Sequence, residues 1–351
     1  MKKPKTTKAA ILVEQKSPLV IADIDLPLRL EYGQVLVKVV CSGICGSQIG
    51  EIDGVKGPDA FLPHLLGHEG GGIVEEIGPG VTKVKERDHV VMHWRKGAGI
   101  EAPTPQYKWG DKTVNAGWIT TFNEYAVVSE NRLTPIPDDI DFEIAALMGC
   151  AVTTGLGVVS NNAKIKIGES VVVFGAGGVG LNVIQGARLV SAYPIIAVDL
   201  YDNKLEMARL MGATHVINSS RTEPRDKVLQ LVGASYADVV IDNTGLPEVI
   251  RLAYELTRPG GKTILVGVPK KGDNVSIYTL PLHFGKIITG SHGGETNPTE
   301  DIPRYLKVYK ARILELQNLI THRFNLSEIN ETIGLMKSGT VSGRCIIRMS
   351  D

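Results

Sequence analysis

Ser170-Val171-Val172-Val173-Phe174-Gly175-Ala176-Gly177-Gly178-Val179-Gly180 is the stretch whose reading decides the fold. The apolar run Val171 to Phe174 reads as a buried strand, and the residues after it match G-x-G-x-x-G. Alone that pattern is weak. Here it leaves a strand and opens a helical stretch that continues to about Val190, the setting the motif requires. Gly175 permits a tight turn, Gly177 lets a pyrophosphate approach the backbone, and Gly180 lets helix and strand pack closely. Gly178 and Val179 lie at the start of the helix, where unpaired N–H groups favour a phosphate. The fingerprint calls for an acid about 20 positions further on. Asp199 is there, at the end of Ile195-Ile196-Ala197-Val198-Asp199. A carboxylate at that place bonds the ribose hydroxyls of NAD and repels the 2′-phosphate of NADP. A glycine-rich turn with no ligand would not need strand, spacing and acid together.

Working outward, strands and helical stretches alternate from about residue 151 onward. After Asp199 come a helix from Asn203 to Met211, a strand at His215-Val216-Ile217 and a helix around Arg225 to Leu231. Strands Asp238–Asp242 and Lys262–Val266 come next. This grammar predicts a doubly wound parallel sheet with helices on both faces. The earlier part reads differently. Gln34–Cys41, Gly71–Gly80 and Asp88–Met92 are short strands among many glycines and prolines, so a mostly β domain is expected. After about residue 292 come two more helical stretches and a last strand, Arg344-Cys345-Ile346-Ile347-Arg348, which can return to the first domain. The expected division is residues 1–151 with 293–351 as one domain and 152–292 as the other.

The chain has 351 residues, enough for two cores, and its 38 Lys plus Arg balance 38 Asp plus Glu. That balance gives no reason to expect nucleic acid or an anionic membrane as partner. The basic start leads into no apolar run of signal-peptide length, and no apolar run approaches the ~20 residues of a membrane helix. A cytoplasmic protein is expected. Four cysteines are too few for a disulfide framework.

Two of those cysteines have another use. Cys45 lies in Ser42-Gly43-Ile44-Cys45-Gly46-Ser47, His68 in Gly67-His68-Glu69, and Cys150 in Met148-Gly149-Cys150-Ala151-Val152-Thr153-Thr154-Gly155. Two Cys and one His are a ligand set for catalytic zinc, with a fourth position left for water or substrate. Cys41 is in phase with Val35, Val37 and Val39 and is expected to pack, as is Cys345 in its apolar strand. His64, His89, His215 and His283 have no motif around them and are read as structural.

Together these segments resemble the zinc-dependent medium-chain alcohol dehydrogenases over nearly the whole chain. Gly-Ile-Cys-Gly-Ser, Gly-His-Glu, Gly-Cys-Ala-Val-Thr-Thr-Gly, Gly-Ala-Gly-Gly-Val-Gly and Val-Asp-Leu-Tyr-Asp-Asn-Lys carry the resemblance. It implies a GroES-like catalytic domain, a Rossmann domain, and one zinc per subunit in the cleft, held by Cys45, His68 and Cys150. It also implies that Ser47 takes the substrate's proton and that Glu69 is a carboxylate beside the zinc. Thr154 is then near the nicotinamide, Asp199 and Lys204 contact the adenosine ribose, and Arg344 is the late arginine that reaches the pyrophosphate. Val266 and Val268 join the cofactor contacts, and His292 follows the last Rossmann strand toward the nicotinamide carboxamide. The implied activity is hydride transfer between a primary or secondary alcohol and NAD, in a homodimer or homotetramer. A polyol or sugar-alcohol dehydrogenase on the same scaffold is the alternative, although polyol enzymes of the family often use Glu where this chain has Cys150. A non-catalytic NAD-binding protein is a further alternative.

The chain departs from the family in informative places. Many relatives hold a second, structural zinc with four closely spaced cysteines, whereas residues 92–118 here contain none. No structural zinc is expected, and packing, including three tryptophans, and hydrogen bonds must hold that lobe. Gly50 stands where relatives finish a proton relay with histidine. Gln48 stands in place of an aspartate that orients the histidine ligand, and its amide oxygen could accept from His68. Gly46 stands in place of a cation facing the cofactor phosphate. Trp94 falls where relatives have a pocket-lining aromatic. The alternative is that Trp94 simply fills the altered lobe. His292 together with Gln48 hints at a substrate more polar than a simple alkanol.

Overall fold

A computed structural model describes residues 4–233 and 235–349. The glycine-rich turn belongs to a six-stranded parallel sheet built from Val171–Phe174, Ile195–Asp199, His215–Asn218, Ala237–Asp242, Thr257–Leu265 and Ile287–Gly290. In space the third of these comes first, then the second, first, fourth, fifth and sixth. That order reverses beside Val171–Phe174, so the crevice at its C-terminal end is the place where such sheets receive a ligand. Period-two alternation distributes the apolar side chains. Val171 and Val173 enter one buried cluster with Leu181, Ile184 and Leu205, while Val172 and Phe174 enter another with Val228, Ala253 and Leu256. Burial on both faces is why these strands read as continuous apolar runs.

Two further β units flank this sheet in sequence. Thr6–Leu12, Val20–Asp25, Gln106–Trp109, Lys112–Asn115 and His64–Leu65 close a small barrel. Leu133–Pro135, His89–His93, Glu69–Ile77, Gln34–Gly43, Arg344–Arg348 and Ile320–Asn325 form a second sheet, with Tyr125–Ser129 also paired to Gln34–Gly43. The last strand pairs antiparallel with Gln34–Gly43, Ile346 opposite Gly43 and Arg348 opposite Cys41. The tail thus returns to the first β region.

Helix Phe142–Met148, capped by the Asp141 carboxylate on the N–H of Glu143, packs on this sheet, and helix Ala151–Gly157 leads to the Rossmann helix Gly178–Leu189. One apolar cluster runs from Val91, Ile144 and Met148 through Val152 into Val171 and Leu181. Among the described residues, no single helix is long and apolar enough to cross a membrane.

Cys41 is buried, but not with Val35, Val37 and Val39. The pairing of Gln34–Gly43 with Glu69–Ile77 shifts register between Leu36 and Val37 and again between Val39 and Cys41. A bulge changes the phase of the residues beyond it, which places Cys41 in the cluster with Ala145. The sequence reading also passed over helix Pro247–Leu256 and the edge strand Ile287–Gly290.

Candidate metal and dinucleotide site

Cys45 precedes helix Gly46–Ile52, His68 lies just before strand Glu69–Ile77, and Cys150 precedes helix Ala151–Gly157. Their ligand atoms all lie within 4.8 Å of one another. A tetrahedral zinc with bonds of about 2.0–2.3 Å separates its ligand atoms by roughly 3.5 Å. The Nε2 atom of His68 is buried and has no hydrogen-bond partner among the described residues. A buried imidazole nitrogen left unpaired costs free energy, and ligation to a cation relieves it. Donor set, separation and orphaned nitrogen all fit zinc.

The electrostatics point the same way. A hydrogen bond from Cys150 pulls Cys45 well below the ordinary thiol range, against burial and with help from His68. The same bond, together with burial, pushes Cys150 well up. Burial works against a charged His68, but the adjacent Cys45 thiolate, with Glu69 behind it, carries the imidazole above its usual value. Without a cation the cluster retains protons that ligation must remove.

Glu69 is fully buried and pairs with Arg344, itself 4% exposed. Burial raises Glu69 above the usual carboxylate range, Arg344 opposes this, and the charge of Cys45 adds to it. Its second oxygen, Oε2, has no partner among the described residues. Gly43 makes room for this carboxylate, since a Cβ there would stand 2.8 Å from Oε1. Arg344, expected at the pyrophosphate, also lies against the dinucleotide turn: a Cβ on Gly178 would meet its Cδ at 2.4 Å. Its Nε is buried and unpaired among the described residues. One arginine therefore links the carboxylate beside the ligand cluster to the phosphate-binding turn.

Ser47 and Thr154 each present a buried hydroxyl without a partner among the described residues. The N–H of Thr154 donates to the carbonyl of Cys150 at 2.9 Å, one helical turn back. The Gln48 amide oxygen is committed elsewhere than to His68. It accepts from the N–H of Cys45 at 2.8 Å and closes the first turn of its helix, while Nε2 is buried and without a partner among the described residues. Gln48 therefore fixes the segment that carries Cys45. A Cβ on Gly46 would meet nothing within 4 Å, and one on Gly50 would meet only Val55.

Trp94 lies beside the cluster, its ring centroid 6.4 Å from that of His68. His292 packs edge-on against it at 5.0 Å, and His292 Nδ1 accepts a hydrogen bond of 2.5 Å from Arg95 Nη1. The same guanidinium donates to the carbonyl of Thr296. Arg95 and His93 are residues the sequence reading missed. Burial pushes His93 down to about 4, so it is neutral, held between the Arg95 carbonyl at 2.7 Å and the Thr134 hydroxyl at 2.9 Å. No local motif marks either residue.

The dinucleotide crevice is built as its glycines require. Gly175 has φ +85°, where L side chains are strained, and a Cβ on Gly180 would stand 2.0 Å from the Gly175 carbonyl oxygen. A Cβ on Gly177 would meet nothing within 4 Å. The backbone there is open to a pyrophosphate, which fits NAD. Val179 lies in the first turn of Gly178–Leu189. Asp199 Oδ2 accepts from the N–H of Ala176 at 2.8 Å and Oδ1 from that of Tyr201 at 3.1 Å. The carboxylate thus shapes the turn and retains lone pairs for a ribose. Lys204 places its ammonium 4.9 Å from the Tyr201 ring centroid. Val266 and Val268 come after strand Thr257–Leu265, and Val268 is exposed.

Asp242-Asn243-Thr244-Gly245 was also missed. Asp242 accepts from Thr244 and Gly245, and Thr244 Cγ2 would stand 3.2 Å from a Cβ on Gly175. A polar turn straight after an apolar strand was the available signal.

The lobe without cysteines is held by Glu130, which is fully buried. Its Oε1 accepts from the N–H groups of Thr82 at 2.5 Å and Lys83 at 2.7 Å, and its Oε2 from Ile100 at 2.7 Å. The Ser129 hydroxyl accepts from Ala102 and donates to Ile100. The tryptophans do not form one packed centre there. Trp94 stands at the ligand cluster, Trp109 on the hairpin of Gln106–Trp109 and Lys112–Asn115, and Trp118 is 46% exposed with Arg132 over its ring.

Residues 31–138 match the family described as alcohol dehydrogenase GroES-like domain, and residues 178–311 match zinc-binding dehydrogenase. The chain is 34% identical to an S-(hydroxymethyl)glutathione dehydrogenase of Paracoccus denitrificans, covering 95% of this chain and 97% of that one. It is also 34% identical, with the same coverage, to an alcohol dehydrogenase class-3 of Cereibacter sphaeroides. The crystal structure of benzyl alcohol dehydrogenase from Acinetobacter calcoaceticus superposes with a TM-score of 0.89 at 28% identity, over 99% of this chain and 100% of that one. With its donor set, dinucleotide turn and full-length likeness, the chain belongs to the zinc-dependent medium-chain alcohol dehydrogenase family.

Proposed function

We propose that the chain transfers hydride between a primary or secondary alcohol and NAD, giving the aldehyde or ketone, with Cys45, His68 and Cys150 as the zinc ligands. The convergence of those ligand atoms within 4.8 Å around an unpartnered His68 Nε2 carries the reading. Held by Cys45, His68 and Cys150, zinc would lower the pKa of a substrate hydroxyl from ~16 toward ~7, about 9 units or roughly 12 kcal/mol.

The chain's own residues do the rest. Ser47 accepts the alcohol's proton on its free hydroxyl and passes it to water, since Gly50 has no side chain to receive it. Glu69 keeps Oε2 uncommitted while Arg344 holds Oε1. Gly175, Gly177, Gly178, Val179 and Gly180 form the pyrophosphate turn, and Asp199 with Lys204 takes the adenosine ribose. Thr154, Val266, Val268 and His292 surround the nicotinamide half, and Arg344 serves the phosphate. Trp94 and Gln48 border the substrate, and residues 152–292 act as the NAD-binding domain between the two parts of the catalytic domain.

Self-association as a dimer or tetramer is supported by the sheet edge. Among the described residues Ile287–Gly290 pairs only with Thr257–Leu265, and Ile287, Tyr278, Leu280 and Phe284 are exposed. Two thiols placed for zinc and two packed in apolar clusters, none in a disulfide among the described residues, support a cytoplasmic setting.

The test is zinc analysis of purified protein with a screen of primary alcohols, secondary alcohols, polyols and S-(hydroxymethyl)glutathione, read by NADH absorbance. The last is included because the Paracoccus relative is named for it. Zinc content and chelator-sensitive NADH formation are expected. Zinc-free protein, or activity indifferent to chelator, overturns the reading.

A further inference from the structure

A second cluster of metal-ligating side chains stands apart from the cysteines. Glu51, Asp59 and His64 offer ligand atoms that all lie within 4.8 Å of one another. Glu51 is in the last turn of helix Gly46–Ile52, Asp59 lies in the loop after it, and His64 opens strand His64–Leu65. His64 is 7% exposed and its ring is fixed at both nitrogens. Nδ1 lies 2.9 Å from the Leu65 carbonyl oxygen, and Nε2 lies 2.8 Å from Asp59 Oδ2.

A carbonyl oxygen only accepts, so Nδ1 carries the proton. A neutral imidazole has no second one. Nε2 then presents a lone pair to a carboxylate oxygen, which requires either a second proton on the ring or a cation that both atoms bind; at 2.8 Å the two stand closer than the roughly 3.5 Å of a tetrahedral site, so binding opens the pair. An Nδ1–H bond to a backbone carbonyl is also what orients an imidazole for ligation through Nε2. Asp59 is oriented too, because its Oδ1 accepts from the N–H of Phe61 at 2.8 Å and leaves Oδ2 for the cluster.

Glu51 decides between proton and cation. Its carboxylate is half-buried and makes no hydrogen bond or ion pair among the described residues. Lys337, which reaches Asp53 two residues on, is engaged there. A proton on His64 would complete the bond to Asp59 and attract Glu51, but it would leave the Glu51 carboxylate without a hydrogen bond. A divalent cation satisfies all three groups at once. One imidazole and two carboxylates suit zinc and its neighbours, whereas magnesium and calcium prefer oxygen alone.

We infer that Glu51, Asp59 and His64 bind a second divalent cation of the zinc class, separate from the cysteine site. It ties the helix that begins after Cys45 to the strand that leads to His68, so its role is to brace two ligand-bearing segments.

The test is a Co²⁺ titration of metal-free full-length protein, with binding counted by equilibrium dialysis and the thiolate-to-cobalt absorption band read in parallel. Two equivalents are expected, only one of which contributes to that band. Cys45→Ser/Cys150→Ser should keep one equivalent and lose the band. Glu51→Gln/Asp59→Asn should keep the full band and bind the other equivalent at least ~10-fold more weakly. His64 is spared in this test because its burial couples it to folding. A single equivalent in the wild type, or a second equivalent undiminished in Glu51→Gln/Asp59→Asn, overturns the inference. Loss of the band from wild-type protein would instead overturn the zinc reading of the cysteine site and leave this one standing.

Discussion

Two regions of this molecule solve the same problem, holding distant loops together, by different means. Around Cys45, His68 and Cys150 a buried nitrogen has no partner among the described residues and the two thiols are driven in opposite directions, a cluster that a cation completes. In the cysteine-free lobe, Glu130 gathers the N–H groups of Thr82, Lys83 and Ile100 and completes itself. A metal that only fastens loops can be replaced by a buried acceptor. A metal that must polarise a substrate oxygen cannot, because no side chain supplies a divalent charge with an open position.

The largest expected effect breaks the first region alone. Cys45→Ala should lower kcat by roughly 10³-fold or more while NAD affinity, read by NADH fluorescence, changes little. Concurrent loss of NAD binding would mean that Cys45 also supports the dinucleotide turn. Glu130→Ala should do the reverse. Three orphaned donors cost about 3 kcal/mol or more, read as a lower urea midpoint, with zinc content retained. An unchanged midpoint would show that the lobe is held by something else.

A smaller effect is expected at the dinucleotide turn. Asp199→Asn should lower the preference for NAD over NADP by roughly tenfold, and Asp199→Ala should in addition weaken both, because Asp199 also holds Ala176. Equal preference ratios for wild type and Asn variant would remove the charge argument.

The smallest effect concerns Glu143, whose carboxylate joins Arg323 and Arg348 from the two tail strands. Burial would raise Glu143, but its hydrogen bonds to both arginines carry it below the usual range. Its folded pKa is thus under its unfolded value of about 4.3. The stabilisation is full above that value and disappears as pH falls through the folded one. Glu143→Gln should cost about 1 kcal/mol or less at neutral pH, because both arginines are substantially solvated. In acid its urea midpoint should converge with that of the wild type.

The sequence carried the parts of this site that have local grammar. Gly175 to Gly180 advertise themselves because strand, turn and helix are contiguous, and Cys45, His68 and Cys150 because each sits in a short glycine-bearing motif. The parts that stayed hidden were set by contacts between distant residues. Nothing around Arg344 announces that it pairs with Glu69, nor does Glu130 announce the three N–H groups it collects. Gln48 could be placed beside the ligands, but whether its oxygen turned to His68 or to its own helix depended on backbone geometry. Cys41 was correctly read as packed, yet the bulge between Val39 and Cys41 moved it to a different neighbourhood from the one its phase indicated.

The pairing of Arg344–Arg348 with Gln34–Gly43 has a consequence for biosynthesis. Domains generally fold as units, N-terminal first, while the chain is still being made. Here the β region that holds Cys45 and His68 lacks a strand until residue 348 has emerged, and Glu69 lacks its counter-charge until Arg344 has. An unfinished chain therefore holds its reactive thiols in an incomplete pocket. The cluster of Cys45, His68 and Cys150 thus has its full surroundings only after residues 344–348 have joined the sheet.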